Sequence, residues 1–176
     1  MDTLFFIVFL LLFALVLYIG SRQKSRKRSA GKALAEKQST NEDPPMFTGG
    51  LDRSDAIFDV FIAGLAHHCS AGDVGVFQGF IYNDSWNAVD RNAMAIWSNR
   101  KSAIVGYVPA PILDEYRKWS EGRKCLCVGV IYWNGDSLRG RARAYANGLE
   151  DESIKDDMAK FTASVSAHFG WPTDKV

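Results

Sequence analysis

Sixteen consecutive apolar residues, Leu4 to Ile19 (LFFIVFLLLFALVLYI), carry no charge and no proline, and they constrain this chain more than any other feature. At about 1.5 Å per residue, the run approaches the roughly 30 Å of a bilayer's hydrocarbon core. A cleaved secretory signal wants a basic stretch before its apolar segment and an A-x-A-like pattern after it. Met1, Asp2 and Thr3 precede this run and GSRQKSRKR succeeds it, so a retained anchor is the expectation. Arg22, Lys24, Arg26, Lys27 and Arg28 crowd the C-terminal flank, which by the positive-inside rule directs the remainder of the chain to the cytoplasm. The chain thus reads as a single-pass membrane protein, in the lipid bilayer through residues 4–20, with its folded part cytoplasmic.

The 176 residues leave room for one domain of ordinary size beyond that anchor. Residues 1–21 read as the anchor, 22–50 as a basic flank and flexible linker ending at Pro44 and Pro45, and 51–150 as a β domain. Within it, strands are predicted over Phe58–His68, Val74–Asn83, the segment NAMAIWS, AIVGYVP, Lys124–Trp133 and LRGRARAYA. Pro111 suits the first turn of a short helix through ILDEYRKW, and NGDS makes a hairpin turn between the last two strands. In 151–176, Ile154, Met158, Phe161, Val165 and Phe169 fall at helical spacing, predicting a helix that packs on the strands. The fold class is therefore α+β: an N-terminal transmembrane helix, then a small OB-like or strongly curved β-barrel with two covering helices.

Catalytic signatures are absent from the sequence, which has no G-x-S-x-G, P-loop, H-E-x-x-H or dinucleotide fingerprint, so a non-enzymatic module without cofactors is expected. The adjacent acids Asp114 and Glu115, and Asp156 and Asp157, read as solvated helix faces. Cys69, Cys125 and Cys127 are odd in number and placed in a reducing compartment, which argues against disulfides. Cys125 and Cys127 share a strand face but lack the C-x-x-C knuckle, so no metal is expected. Of the five tryptophans, Trp97, Trp119, Trp133 and Trp171 read as packing, whereas Trp86 lies in a polar turn where it is free to stack on a base.

The order of motifs carries a family resemblance. Ala63-Gly64-Leu65 lies in the first apolar strand, Gly72-Asp73-Val74 comes before the second, and Asn87-Ala88-Val89-Asp90-Arg91-Asn92-Ala93 forms a polar turn. Gly106-Tyr107-Val108-Pro109 then leaves a strand for a short helix. This succession resembles the HIRAN domain from about Val60 to Trp119, and more faintly to Tyr145. HIRAN domains are OB-like barrels that occur beside helicase or nuclease modules in DNA-repair enzymes and also alone, and they hold single-stranded DNA, in some members by its 3′ end. The resemblance implies that Asp90 accepts a hydrogen bond from a terminal hydroxyl with Asn87 beside it, and that His67, His68 and Tyr107 stack on bases. Where nucleotide-binding members carry an arginine next to those aromatics, this chain has Ala66.

These residues support two functional readings. Arg139, Arg141 and Arg143 alternate, so on a strand they share one face and suit a phosphate track, or else a solvated face pairing with nearby acids. The first reading is a membrane-tethered module that binds single-stranded nucleic acid through Asn87, Asp90, Tyr107, His67, His68 and those three arginines. The second is a protein- or peptide-interaction module that recruits a partner protein to the membrane. The second is favoured by charge, since residues from Leu51 onward hold 14 Lys and Arg against 16 Asp and Glu, a net charge of −2.

Overall fold

Nine elements succeed one another in the computed structural model, which describes residues 54–146 and 152–171. In chain order they are β1 (Ile57–Phe61), α1 (Leu65–His68), β2 (Gly75–Asn83), β3 (Met94–Ser98), β4 (Ala103–Tyr107), α2 (Ala110–Ser120), β5 (Cys125–Asn134), β6 (Ser137–Tyr145) and α3 (Glu152–Phe169). A single 3-10 turn, Ala71–Asp73, links α1 to β2. The anchor and linker expected over residues 1–50 lie outside the described residues. Among those described, no helix is long and apolar enough to cross a membrane.

All strand pairings are antiparallel, in the order β1-β6-β5-β2-β3-β4. The two ends of this sheet meet. Just past β1, Ala63 and Tyr107 of β4 exchange two backbone hydrogen bonds of 2.9 Å each, so the sheet curls into a small α+β barrel-like fold. Gly106 makes the seam possible, because a Cβ there would collide with the Ala63 carbonyl oxygen and with Ile62 Cγ2.

The first strand is shorter than the sequence predicts. An apolar run alone does not distinguish strand from buried helix, and the run Phe58–His68 is divided at Gly64, whose φ of 77° turns the chain left-handed. Residues 65–68 then form one helical turn that buries Leu65. The remaining strands and both long helices start and stop within a few residues of their predicted positions.

The sheet separates two apolar layers. Inside the barrel lie Phe58, Val60, Phe77, Ile81, Met94, Ile96 and Val105, with Cys125 and Cys127 on that same face. α2 closes this layer, setting Tyr116 edge-on to Phe58 at 5.3 Å. Outside, α3 lays Ile154, Met158, Phe161, Val165 and Phe169 against Val76, Leu126, Val128, Val130 and Tyr132. Each such buried side chain contributes roughly 1.5–3 kcal/mol before the entropy of ordering is subtracted. α3 lies over one half of the outer face, from β6 to the start of β2, and the far half, towards β3 and β4, carries a different set of side chains.

Candidate nucleic-acid interface

The polar turn between β2 and β3 is built by its own side chains. Asn87 Oδ1 accepts the amides of Val89 and Asp90 at 2.9 and 3.0 Å, and Asp90 Oδ1 accepts the amide of Asn92 at 2.8 Å. The base of the loop is clasped by the Asp84 amide donating to the Ala93 carbonyl at 2.9 Å. Short polar side chains that mimic backbone turns hold such a loop without a core of its own. The loop thereby holds two apolar side chains out in solvent, Trp86 at 94% exposure and Val89 at 96%. Ser85, Trp86, Asn87, Ala88 and Arg91 line an open depression of about 370 Å³ there, with an indole face and a guanidinium on its rim.

Next to this loop, Tyr107 organises a second cluster. Its hydroxyl donates to Asp84 Oδ2 at 3.1 Å, and the edge of its ring meets His68 at 5.5 Å between centroids. Burial, then the neighbouring Asp84 carboxylate, push the Tyr107 phenol above its ordinary range, with Asn87 against the same hydroxyl opposing them. Burial and Asp84 act on Tyr82 in the same direction. Both phenols are therefore neutral donors at physiological pH. His68 is fixed from behind: Lys101 Nζ donates to the His68 carbonyl and to Asp73 Oδ2, the latter at 2.9 Å. Asp73 also takes the Ser70 amide and hydroxyl at 2.8 and 3.1 Å. Burial alone would raise the Asp73 carboxyl, and these bonds outweigh it, leaving it below the usual carboxylate range.

The fold thus brings Asn87, Tyr107 and His68 together, with Asp90 in the same loop. His67, also on the one-turn helix α1, is exposed. The arginine track requires correction. Arg139, Arg141 and Arg143 do share one face of β6, opposite Tyr132, Val130 and Val128 of β5, but that face is the one α3 lies over. Of the three, only Arg139 is exposed. Arg141 is buried with its guanidinium 4.1 Å above the Phe61 ring. Arg143 is held by its cross-strand neighbour Asp59, wholly buried, through a two-point pair of 2.7 and 2.9 Å. Asp157 of α3 adds a 3.3 Å contact to Arg143 and accepts the Tyr145 hydroxyl at 2.7 Å. Hydrogen bonding to Asp59, above all, holds the Arg143 guanidinium further above its already high range. A guanidinium so engaged joins sheet edge to helix and is not presented to a phosphate. Asp157 is by the same observation no solvated acid, unlike Asp156, which pairs with Lys160 at 2.6 Å on the exposed side. Its position three residues after Ile154 and four before Phe161 is the signal that placed it on the buried stripe.

Sequence reasoning also missed Asp84, Tyr82, Phe80 and Trp97. The alternation of β2 contained the information: Phe80, Tyr82 and Asp84 are two apart, facing away from Phe77 and Ile81. Trp97, read as packing, stands opposite Phe80 on β3 and is partly exposed. Among the described residues no His, Cys, Asp and Glu cluster suits a metal ion.

No protein-family model matches the chain, and no curated protein matches it. Among solved structures, the crystal structure of the HIRAN domain of human HLTF is similar to it, with a TM-score of 0.34 and 16% identity, covering 65% of this chain and 94% of that one.

Proposed function

We propose that the domain is a non-catalytic module that binds single-stranded nucleic acid by its end, tethered to the cytoplasmic face of a membrane through Leu4–Ile19. The observation that carries this reading is the Tyr107 cluster, an aromatic ring steadied by His68 with its hydroxyl between Asp84 and Asn87. A base stacks on such a ring, and a nucleotide's sugar hydroxyls meet acceptors beside it. Asp90 supplies the acceptor for a 3′-hydroxyl, and Arg91 with Trp86 supplies a cation and a second π face on the adjacent loop. The sequence resemblance to HIRAN domains supports the same ligand.

The test is fluorescence anisotropy of the full chain in mild detergent with a labelled single-stranded oligonucleotide whose 3′ end is free or blocked. Binding at low salt that needs the free end and weakens as salt rises is the expected result. Equal binding of the two oligonucleotides would remove end recognition, and no binding at low salt would remove the nucleic-acid reading altogether. The second reading, a module that captures a protein partner at the membrane, is favoured by Trp86 and Val89, two apolar side chains presented almost wholly to solvent on a braced loop.

A further inference from the structure

The half of the outer sheet face that α3 leaves uncovered carries a row of aromatic side chains. Phe80 of β2 stands directly opposite Trp97 of β3, and Tyr82 comes next on the same face of β2. Tyr82 in turn lies across Ala95 from Tyr107, in the register Tyr82–Ala95–Tyr107 over three adjacent strands. The small Ala95 forms the floor between the two tyrosines, so the row runs without interruption into the Tyr107 cluster. At the other end, Phe80 abuts the apolar layer beneath α3. All three of Phe80, Tyr82 and Trp97 remain partly exposed, and with Lys124 they line an open depression of about 320 Å³. The Lys124 ammonium sits 3.7 Å from the centroid of the Phe80 ring, on an otherwise exposed side chain.

Strand faces exposed to water normally alternate polar residues with the core side. Here Gln78 is the polar, exposed position of β2 on this face, and the partly exposed positions beyond it, Phe80, Tyr82 and Trp97, are aromatic with the Lys124 cation beside them. Flat π faces along adjacent strands, with a positive charge at their margin, complement a ligand that offers successive planar rings and regular negative charge. Continuity with Tyr107 gives that ligand a direction.

We infer that Phe80, Tyr82 and Trp97, with Lys124, form a base-stacking track that receives the nucleotides next to a strand end held at Tyr107, so that the ligand is a single strand several nucleotides long. This rests on the proposed function for its starting point at Tyr107. Trp97 and Phe80 stack on bases, and Lys124 contacts a phosphate between them. The arginines of β6 have no part in it.

The experiment measures binding of the full chain, in mild detergent, to oligothymidylates from the dinucleotide up to about 16 nucleotides, the upper end of the site sizes of strand-binding barrels. Three variants accompany the wild type: Phe80→Leu with Trp97→Leu, which keeps an apolar face and removes its rings; Lys124→Gln; and Tyr107→Leu. Urea denaturation establishes that each is folded. Wild-type affinity is expected to rise with length to a plateau. The leucine pair should bind the dinucleotide normally and the longest strands at least about tenfold more weakly. Lys124→Gln should flatten the dependence of log affinity on log salt by about 0.7 for long strands alone. Tyr107→Leu should weaken ligands of every length.

A leucine pair that matches the wild type at every length overturns the track while leaving the proposed end site standing. Loss of dinucleotide binding in the wild type, with long strands still sensitive to the leucine pair, removes the end site and keeps the track. A leucine pair that alters self-association in analytical ultracentrifugation and leaves nucleic-acid binding unchanged overturns the track in favour of a contact between copies of the chain. Absence of binding at all lengths overturns both.

Discussion

The phenol of Tyr107 donates to Asp84 Oδ2 at 3.1 Å, tying the last residue of β4 to the first residue beyond β2 across the mouth of the polar turn. Both residues lie at the edge of the exposed aromatic row, so this one bond orients a ring that the proposed ligand meets. Removing the hydroxyl and removing the ring should therefore have separable effects. Tyr107→Phe is expected to cost about 0.5–1.5 kcal/mol of stability by urea denaturation, with affinity for a single strand changed little. Tyr107→Leu is expected to cost about 1–3 kcal/mol of binding, roughly 5- to 150-fold in anisotropy titrations. Equal binding losses in the two variants would mean that the hydroxyl, and not the ring, recognises the ligand.

Asp59 and Arg143 test the correction to the arginine track. Asp59→Ala leaves a buried guanidinium short of its closest partner, and such a break is expected to cost about 3–5 kcal/mol. Replacing both, Asp59→Leu with Arg143→Met, should restore most of that stability, since a well-packed apolar pair of similar size avoids the desolvation of two charges. The double variant should bind single strands as tightly as the wild type. A fall in its affinity, with the fold intact by near-ultraviolet circular dichroism, would return Arg143 to the ligand site.

Gly106→Ala probes the seam of the barrel. The added methyl meets the Ala63 carbonyl oxygen and Ile62 Cγ2, and neither gives way without breaking the Ala63–Tyr107 hydrogen bonds. Overpacking of this kind costs about 1–3 kcal/mol. The midpoint of urea denaturation should fall accordingly with an unchanged slope, because the surface exposed on unfolding is the same. A midpoint equal to that of the wild type would show that the seam opens freely.

Acid should loosen the support behind His68. The Asp73 carboxyl is held below its ordinary value in the folded chain, so its contribution to stability is complete above the unfolded-state pKa of about 3.9 and is lost as pH falls through the lower folded value. Between about pH 5 and pH 2, the wild type should therefore lose more stability than Asp73→Asn, whose amide does not titrate. Denaturation midpoints measured across that range provide the comparison, and parallel curves would mean that Asp73 adds nothing to the acid limb.

Local pattern was enough for much of this. The spacing of Ile154, Met158, Phe161, Val165 and Phe169 determined the buried stripe of α3, because a helix repeats every 3.6 residues whatever it packs on. Gly135 and its neighbours determined the β5–β6 hairpin, and the Asn87 and Asp90 side chains determined the polar turn, since each bonds backbone within three residues of itself. Period two likewise put Arg139, Arg141 and Arg143 on one face and Phe80 and Tyr82 on another. What each face meets was decided elsewhere. Whether a strand face is covered depends on which element packs over it, and α3 lies over the arginine face and stops short of the aromatic one. The partners of Arg143 come from β1 and α3, 84 and 14 residues away, and Tyr107 meets Asp84 across β3 and His68 only when β4 reaches the chain beyond β1. Such contacts arise from strand pairing, helix packing and closure of the sheet, long-range events that period and propensity do not encode.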